Sequence, residues 1–163
     1  MAAVRQAESR DAEAAAGVLR RSITELCALD HHGPGTLADW LANKTARNFL
    51  AWLANEDNFC VVVEDGGQIA GLGLLHRSGE VLLCYLAPGS QGRGFGKAIH
   101  LALEERARAW GLSKLYLEST VTARSFYEKV GYQAAGSARS GFGLSHCHPY
   151  EKTLQPDTVE RPK

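Results

Sequence analysis

Residues 91–96 read QGRGFG, with glycines at 92, 94 and 96, placed between the apolar run EVLLCYLAPG and a helix-forming stretch, IHLALEERARAW. Glycines at the junction of a strand with a helix suit one kind of chemistry. A helix N-terminus presents free backbone N–H groups and partial positive charge, and residues without a Cβ let an anion approach that backbone closely. The stretch therefore reads as a phosphate cradle made of main chain. Two nucleotide motifs fail on the residues present. A P-loop would have Gly in place of Gln91 and Ser or Thr in place of Ala98, and a dinucleotide fingerprint would have Gly in place of Lys97. The plain structural alternative is a glycine-rich turn that merely joins strand to helix.

The elements around the cradle follow from periodicity. A short strand is expected over Ala2 to Ala7, then a helix capped by Ser9 or Asp11, with Ala15, Val18, Leu19, Ser22, Ile23 and Leu26 at helical spacing up to Cys27. DHHGPG breaks it. Thr36 is expected to cap a second helical region, whose apolar faces are interrupted near Asn43 and which ends at Asn55 to Asn58. FCVVVE and QIAGLGLLH are strands by β-branched and apolar content, joined by a DGG hairpin turn. After the RSG turn, EVLLCYLA is apolar on both faces, with Val81, Leu83 and Tyr85 on one side and Leu82, Cys84 and Leu86 on the other, so it is expected to be central. The helix after the glycines carries Ile99, Leu103, Ala107 and Trp110 on one stripe and pairs Glu104 with Arg108 on another. Gly111 stops it, KLYLES is the next strand, and this strand, helix, strand order implies two parallel strands. A further helix carries Ala123, Phe126, Tyr127 and Val130, and strand-like pieces follow around SGFG and CHPYEKTL. The fold class is a mixed α/β layer.

Composition limits the partners. The chain has 163 residues, 45% of them apolar, which suits one domain; 18 acidic residues balance 18 basic ones, so no global field recruits nucleic acid or an anionic membrane. Cys27, Cys60, Cys84 and Cys147 are far apart, form no CxxC pair and follow an N-terminus without the apolar core of a secretory signal, which reads as a reduced, cytoplasmic protein. No apolar run approaches the roughly 18 residues of a membrane span. His146 and His148 share one face of an expected strand with Cys147 opposite. That offers two ligands at most, so no metal is expected.

Gln91, Gly94 and Gly96, following LCYLAP, together with ARSFYEKVGY about 30 residues later, resemble the two signature elements of the GNAT N-acetyltransferases. The specific motifs lie between Glu80 and Tyr132 and the likeness covers most of the chain. It implies a GNAT acyltransferase fold: a mixed, mostly antiparallel central sheet flanked by helices, with splayed central strands that bind acetyl-CoA. One domain is expected over residues 1–155, with residues 156–163 a disordered tail. The resemblance places the pyrophosphate on the amides of Gln91, Gly92, Arg93, Gly94, Phe95 and Gly96, and the pantetheine along Cys84, Tyr85 and Leu86. Residues of equal parity aim their N–H groups to one edge of a strand, so Cys84 and Leu86 can present amides together if the strand is splayed from its parallel neighbour, and either amide can polarise the thioester carbonyl.

The same resemblance puts Tyr127 where the family's general acid stands, the alternative being a tyrosine of the apolar stripe. It puts Glu80 where some members carry the base that deprotonates the amine; a solvated turn carboxylate is the other reading. Thr120 stands where the family often has asparagine against the coenzyme, and a threonine cannot repeat the amide contact. Asp30, His31 and His32 fall where members form part of the acceptor pocket, although loop solvation also accounts for them. The expected activity is direct acetyl transfer from acetyl-CoA to a primary amine of a small molecule or peptide. The competing expectation is a non-catalytic acyl-CoA-binding module on the same fold. Dimers are common in the family, which leaves a homodimer open.

Overall fold

The computed structural model describes residues 2–27, 34–137, 139–141 and 144–155. Along the chain come Ala2–Gln6 (β1), a tighter helical turn at Ser9–Asp11, Ala12–Leu26 (α1), Pro34–Leu41 (α2), Ala46–Ala54 (α3), Asn58–Asp65 (β2), Gln68–His76 (β3), Val81–Leu86 (β4), Phe95–Ala109 (α4), Lys114–Ser119 (β5), Arg124–Lys129 (α5), Gln133–Ala134 (β6), Arg139–Gly141 (β7) and Leu144–Thr153 (β8). Among these residues no helix is long and apolar enough to cross a membrane.

Two half-sheets carry the fold. β1, β2, β3 and β4 pair in that order, antiparallel throughout, while β8 lies between β5 and β6 and also pairs with β7. β4 and β5 run parallel, as the strand, helix, strand order implies. Yet they meet at one isolated bridge, Glu80 with Tyr116, where the Tyr116 N–H donates to the Gly79 carbonyl at 3.0 Å. β4 is thus central to the molecule but an edge strand of its own ladder, because its neighbour diverges immediately after the bridge.

The register of β4 corrects the simple alternation. Leu74 faces Leu83 while Leu75 faces Val81, so Leu82 is an extra residue in the ladder. A bulge of this kind reverses side-chain parity on one side of it. Val81 accordingly packs in the same core as Cys84 and Leu86, and Leu83 and Tyr85 pack in the other, across the sheet. Leu82 itself is half-exposed.

Two further expectations shift for local reasons. Thr36 lies inside α2; the cap in this region is Thr45, whose Oγ1 accepts the Asn48 N–H at 3.1 Å and starts α3. Asp11 makes no side-chain cap to α1. Its carboxylate reaches back to the Glu8 N–H at 2.7 Å and takes two bonds from Arg5, each 2.9 Å, which ties β1 to the helical start. α4 keeps its expected stripe, with Ile99, Leu103 and Ala107 fully buried. Glu104 is buried as well. It pairs with Arg108 at 3.5 Å but more closely with Lys152, at 2.6 Å.

α4 lies against β3 because β3 omits two side chains. A Cβ on Gly73 would collide with Ile99 Cγ2, and one on Gly71 would stand 2.6 Å from Leu86 Cδ2 and 3.2 Å from Ile99 Cδ1. The height of the helix above the sheet, and with it the position of the loop that precedes the helix, is set by these two glycines.

Candidate active site

The segment expected to be a cradle is a loop held open by backbone conformation. Gly89, Gly92 and Gly94 have φ of 88°, 78° and 83°, the left-handed region that other residues rarely adopt. Gly94 is the N-cap of α4. The first helical N–H to find a partner inside the helix is that of Ala98, which donates to the Gly94 carbonyl at 3.0 Å, and the amides before it point outward as at any helix start. A Cβ at Gly92 or Gly94 would meet no protein atom within 4 Å, so those positions are glycine for their φ and not for packing. Gly96 has a different reason: its Cβ would sit 3.0 Å from the Phe126 ring, and its absence lets α4 approach α5. Gln91 accepts the Gly89 N–H at 2.9 Å and so braces the loop internally. Arg93 pairs with Asp65 at 2.7 Å and lies over the Phe95 ring at 4.6 Å.

The amides of β4 open toward this loop as parity predicts. The Ala87 N–H donates to the Ala70 carbonyl of the neighbouring strand at 2.8 Å, so alternation turns Leu83 and Tyr85 the same way and sends the Cys84 and Leu86 N–H groups to the opposite edge, into the split.

Where the half-sheets separate lies a cavity of about 50 Å³ lined by residues that include Trp40, Lys44, Cys84, Glu118, Thr120 and Tyr127. Tyr127 is 7% exposed and stands edge-on to Phe126, Tyr132 and His100, at 5.2, 5.5 and 6.1 Å between ring centres. Tyr127 and Cys84 both line this cavity. Burial first, and the neighbouring Cys84 second, raise the pKa of Tyr127 well above the usual 10. Burial likewise pushes the Cys84 thiol up to about 12, which leaves it protonated and a poor nucleophile. Thr120 accepts the Ala123 N–H at 3.2 Å, so its hydroxyl is engaged in the turn that opens α5.

Glu80 lies at the bridge between the half-sheets, its carbonyl accepting the His76 N–H at 2.8 Å, and it is not among the residues that line the cavity. Glu118 is among them. The alternation in KLYLES carried that signal, since Lys114, Tyr116 and Glu118 share the face opposite the buried Leu115 and Leu117. Lys44 had no comparable signal, lying in the polar run NKT that reads only as a helix interruption. Asp30, His31 and His32 lie outside the described residues. Among the described residues no three His, Cys, Asp or Glu side chains come together as a metal site.

The family model described as an acetyltransferase (GNAT) domain matches residues 27–154. A crystal structure of a GCN5-related N-acetyltransferase from Rhodopseudomonas palustris superposes with a TM-score of 0.83 at 26% identity, covering 93% of this chain and 95% of that one. The PaiA N-acetyltransferase of Thermoplasma acidophilum, solved in complex with coenzyme A, superposes at 0.81 with 20% identity over 94% and 99% of the two chains, a likeness of fold. An uncharacterized acetyltransferase of Streptococcus pyogenes, from the arcA 3' region, is 38% identical over 63 residues, which are 39% of this chain and 42% of that protein. The matched stretch thus spans less than half the length of that curated relative.

Proposed function

The chain belongs to the GNAT acetyltransferases, and from that premise we propose that it moves an acetyl group from acetyl-CoA directly to a primary amine, within one domain over residues 1–155. The observation that carries the reading is the split beside β4, where two main-chain donors face an unpaired edge next to a glycine loop that starts a helix. A pantetheine arm has amide groups that complete such an edge. The pyrophosphate then meets the outward amides between Gln91 and Gly96, where the positive end of α4 favours an anion.

In the reaction the amine nitrogen attacks the thioester carbonyl carbon, the oxygen takes up negative charge, and the carbon–sulfur bond breaks as the tetrahedral adduct collapses. The amide of Cys84 or Leu86 stabilises the oxyanion. Tyr127 stands beside the sulfur path. An ordinary phenol protonates a thiolate at a cost of about 2 kcal/mol, and burial of Tyr127 raises that cost. Its hydroxyl therefore serves chiefly as a hydrogen-bond donor that steadies the departing thiolate, with the proton following. Of the two carboxylates, Glu118 borders the cavity and takes the role of receiving the proton that the amine loses, whereas Glu80 takes it only through intervening water.

Incubation with acetyl-CoA and a panel of amines tests the proposal. Release of free thiol dependent on the amine is the expected result. Tight binding of acetyl-CoA with no thiol release across the panel supports instead the non-catalytic acyl-CoA-binding reading.

A further inference from the structure

One charged group on the cavity wall is used by none of the bond-making and proton-transfer steps above. Lys44, in the link between α2 and α3, is 5% exposed and borders the same space as Cys84, Glu118 and Tyr127. Its ammonium donates to two neutral oxygens, the Trp40 carbonyl at 3.3 Å and Asn43 Oδ1 at 2.6 Å. An ammonium has three N–H donors. Among the described residues no acid offsets its burial, which brings its pKa down to about 8. Other buried charges here are matched, Asp11 by Arg5 and Glu104 by Lys152. Nor is the position an accident of a loose loop. Arg20 donates to the carbonyls of Leu41 and Lys44, at 3.0 and 3.2 Å, and the Lys44 N–H donates to the Leu41 carbonyl at 3.0 Å.

Burying a cation without a counter-ion is costly, and a fixed backbone that enforces that cost makes sense where an anion arrives from outside. We propose that Lys44 anchors a carboxylate carried by the acceptor itself, so that the acetyl acceptor is an amino acid or a related amino carboxylic acid. The inference rests on the acetyl-transfer reading of the same cavity. Lys44 and Glu118 set a positive and a negative group on the walls of one space, the charge pattern complementary to a zwitterion. A single ammonium between two neutral oxygens balances a monoanion and leaves a phosphate dianion half-compensated.

The test uses binding and does not depend on turnover. Wild-type protein saturated with CoA, which has no acetyl group to give, is titrated calorimetrically with glycine, β-alanine, L-methionine, L-phenylalanine and L-glutamate, and with the carboxamide of each. At least one acid is expected to bind about ten-fold or more tightly than its carboxamide, and Lys44→Met is expected to erase that ratio while still binding CoA. Lys44→Gln replaces it if the methionine variant does not retain CoA binding. Equal binding of acid and carboxamide by the wild type, no binding of any acid, or a ratio that survives in the substituted protein overturns the proposal. The same probes assayed for thiol release separate the two readings: a carboxylate preference without turnover supports the Lys44 assignment and counts against acetyl transfer.

Discussion

Lowering the pH from 7.5 to 5 should cost the fold about 2 kcal/mol through His100 alone. The ring lies on α4, 1% exposed, with Nε2 2.6 Å from the Tyr132 hydroxyl and Nδ1 buried without a hydrogen-bond partner among the described residues. Two charged groups face it. Glu104 Oε2 is 3.9 Å away, and Lys152 holds that same oxygen at 2.6 Å, so little of the carboxylate's charge is left to favour an imidazolium. Burial first and Lys152 second push the pKa of His100 from 6.5 down to about 4. A lowered pKa means that the folded protein resists a proton that the unfolded chain accepts. The penalty is therefore absent above the unfolded pKa, grows as the pH falls through the window from 6.5 to about 4, and levels off below it. At pH 5 the unfolded histidine is almost fully protonated and the folded one about a tenth, which integrates to about 2 kcal/mol and a fall in Tm on the order of 4–8 °C. Urea denaturation of wild type and His100→Gln at both pH values isolates the term, because the other histidines and the carboxylates are common to the two proteins. The variant should lose about 2 kcal/mol less than the wild type; equal losses would refute the reasoning.

Tyr127→Phe should lower turnover about ten- to a thousand-fold with little change in acetyl-CoA affinity; full activity at neutral pH would reduce Tyr127 to a packing residue. Gly73→Ala should cost about 1–3 kcal/mol by driving a methyl group into Ile99, and weaker acetyl-CoA binding by calorimetry should accompany it if the loop ahead of α4 holds the pyrophosphate as proposed. Glu118→Gln should depress turnover most at neutral pH and recover part of it as the pH rises, since bulk deprotonation then supplies the neutral amine. Pairing its pH profile with that of Glu80→Gln shows which carboxylate acts; a profile parallel to wild type dismisses the residue tested.

The parts of this fold that were legible in the sequence are those specified by local rules. Val61 to Val63 demand extended backbone, Gly66 and Gly67 supply the two positive φ angles of a tight hairpin, and the stripe from Ile99 to Ala107 marks the buried face of α4. The glycine loop before α4 belongs with them, because the positive φ of Gly92 and Gly94 is a backbone requirement. What could not be read depends on where separate elements meet. No periodicity announces the extra residue at Leu82, which arises from the pairing of β4 with β3 and undoes the parity expected for Val81. The burial of His100 and Glu104 comes from Tyr132 and Lys152, more than thirty residues distant along the chain. Lys44 is concealed for the same reason: its neighbours in sequence are polar, and only tertiary packing closes around it.

The single bridge between the half-sheets sets how the molecule comes apart as well as what it holds. With Glu80 and Tyr116 the one described backbone bridge between them, the ladder from β1 to β4 and the ladder around β8 share a side-chain core but no continuous run of main-chain hydrogen bonds, so the seam between them is where local opening costs least. Amide hydrogens on the inner edge of β4 then exchange with solvent far faster than those a strand away on β3, although both belong to the interior. A ligand that accepts the N–H groups of Cys84 and Leu86 would slow that exchange and join the two ladders into one cooperative unit. Rigidity across the middle of this protein is thus something a ligand in the split would bring with it.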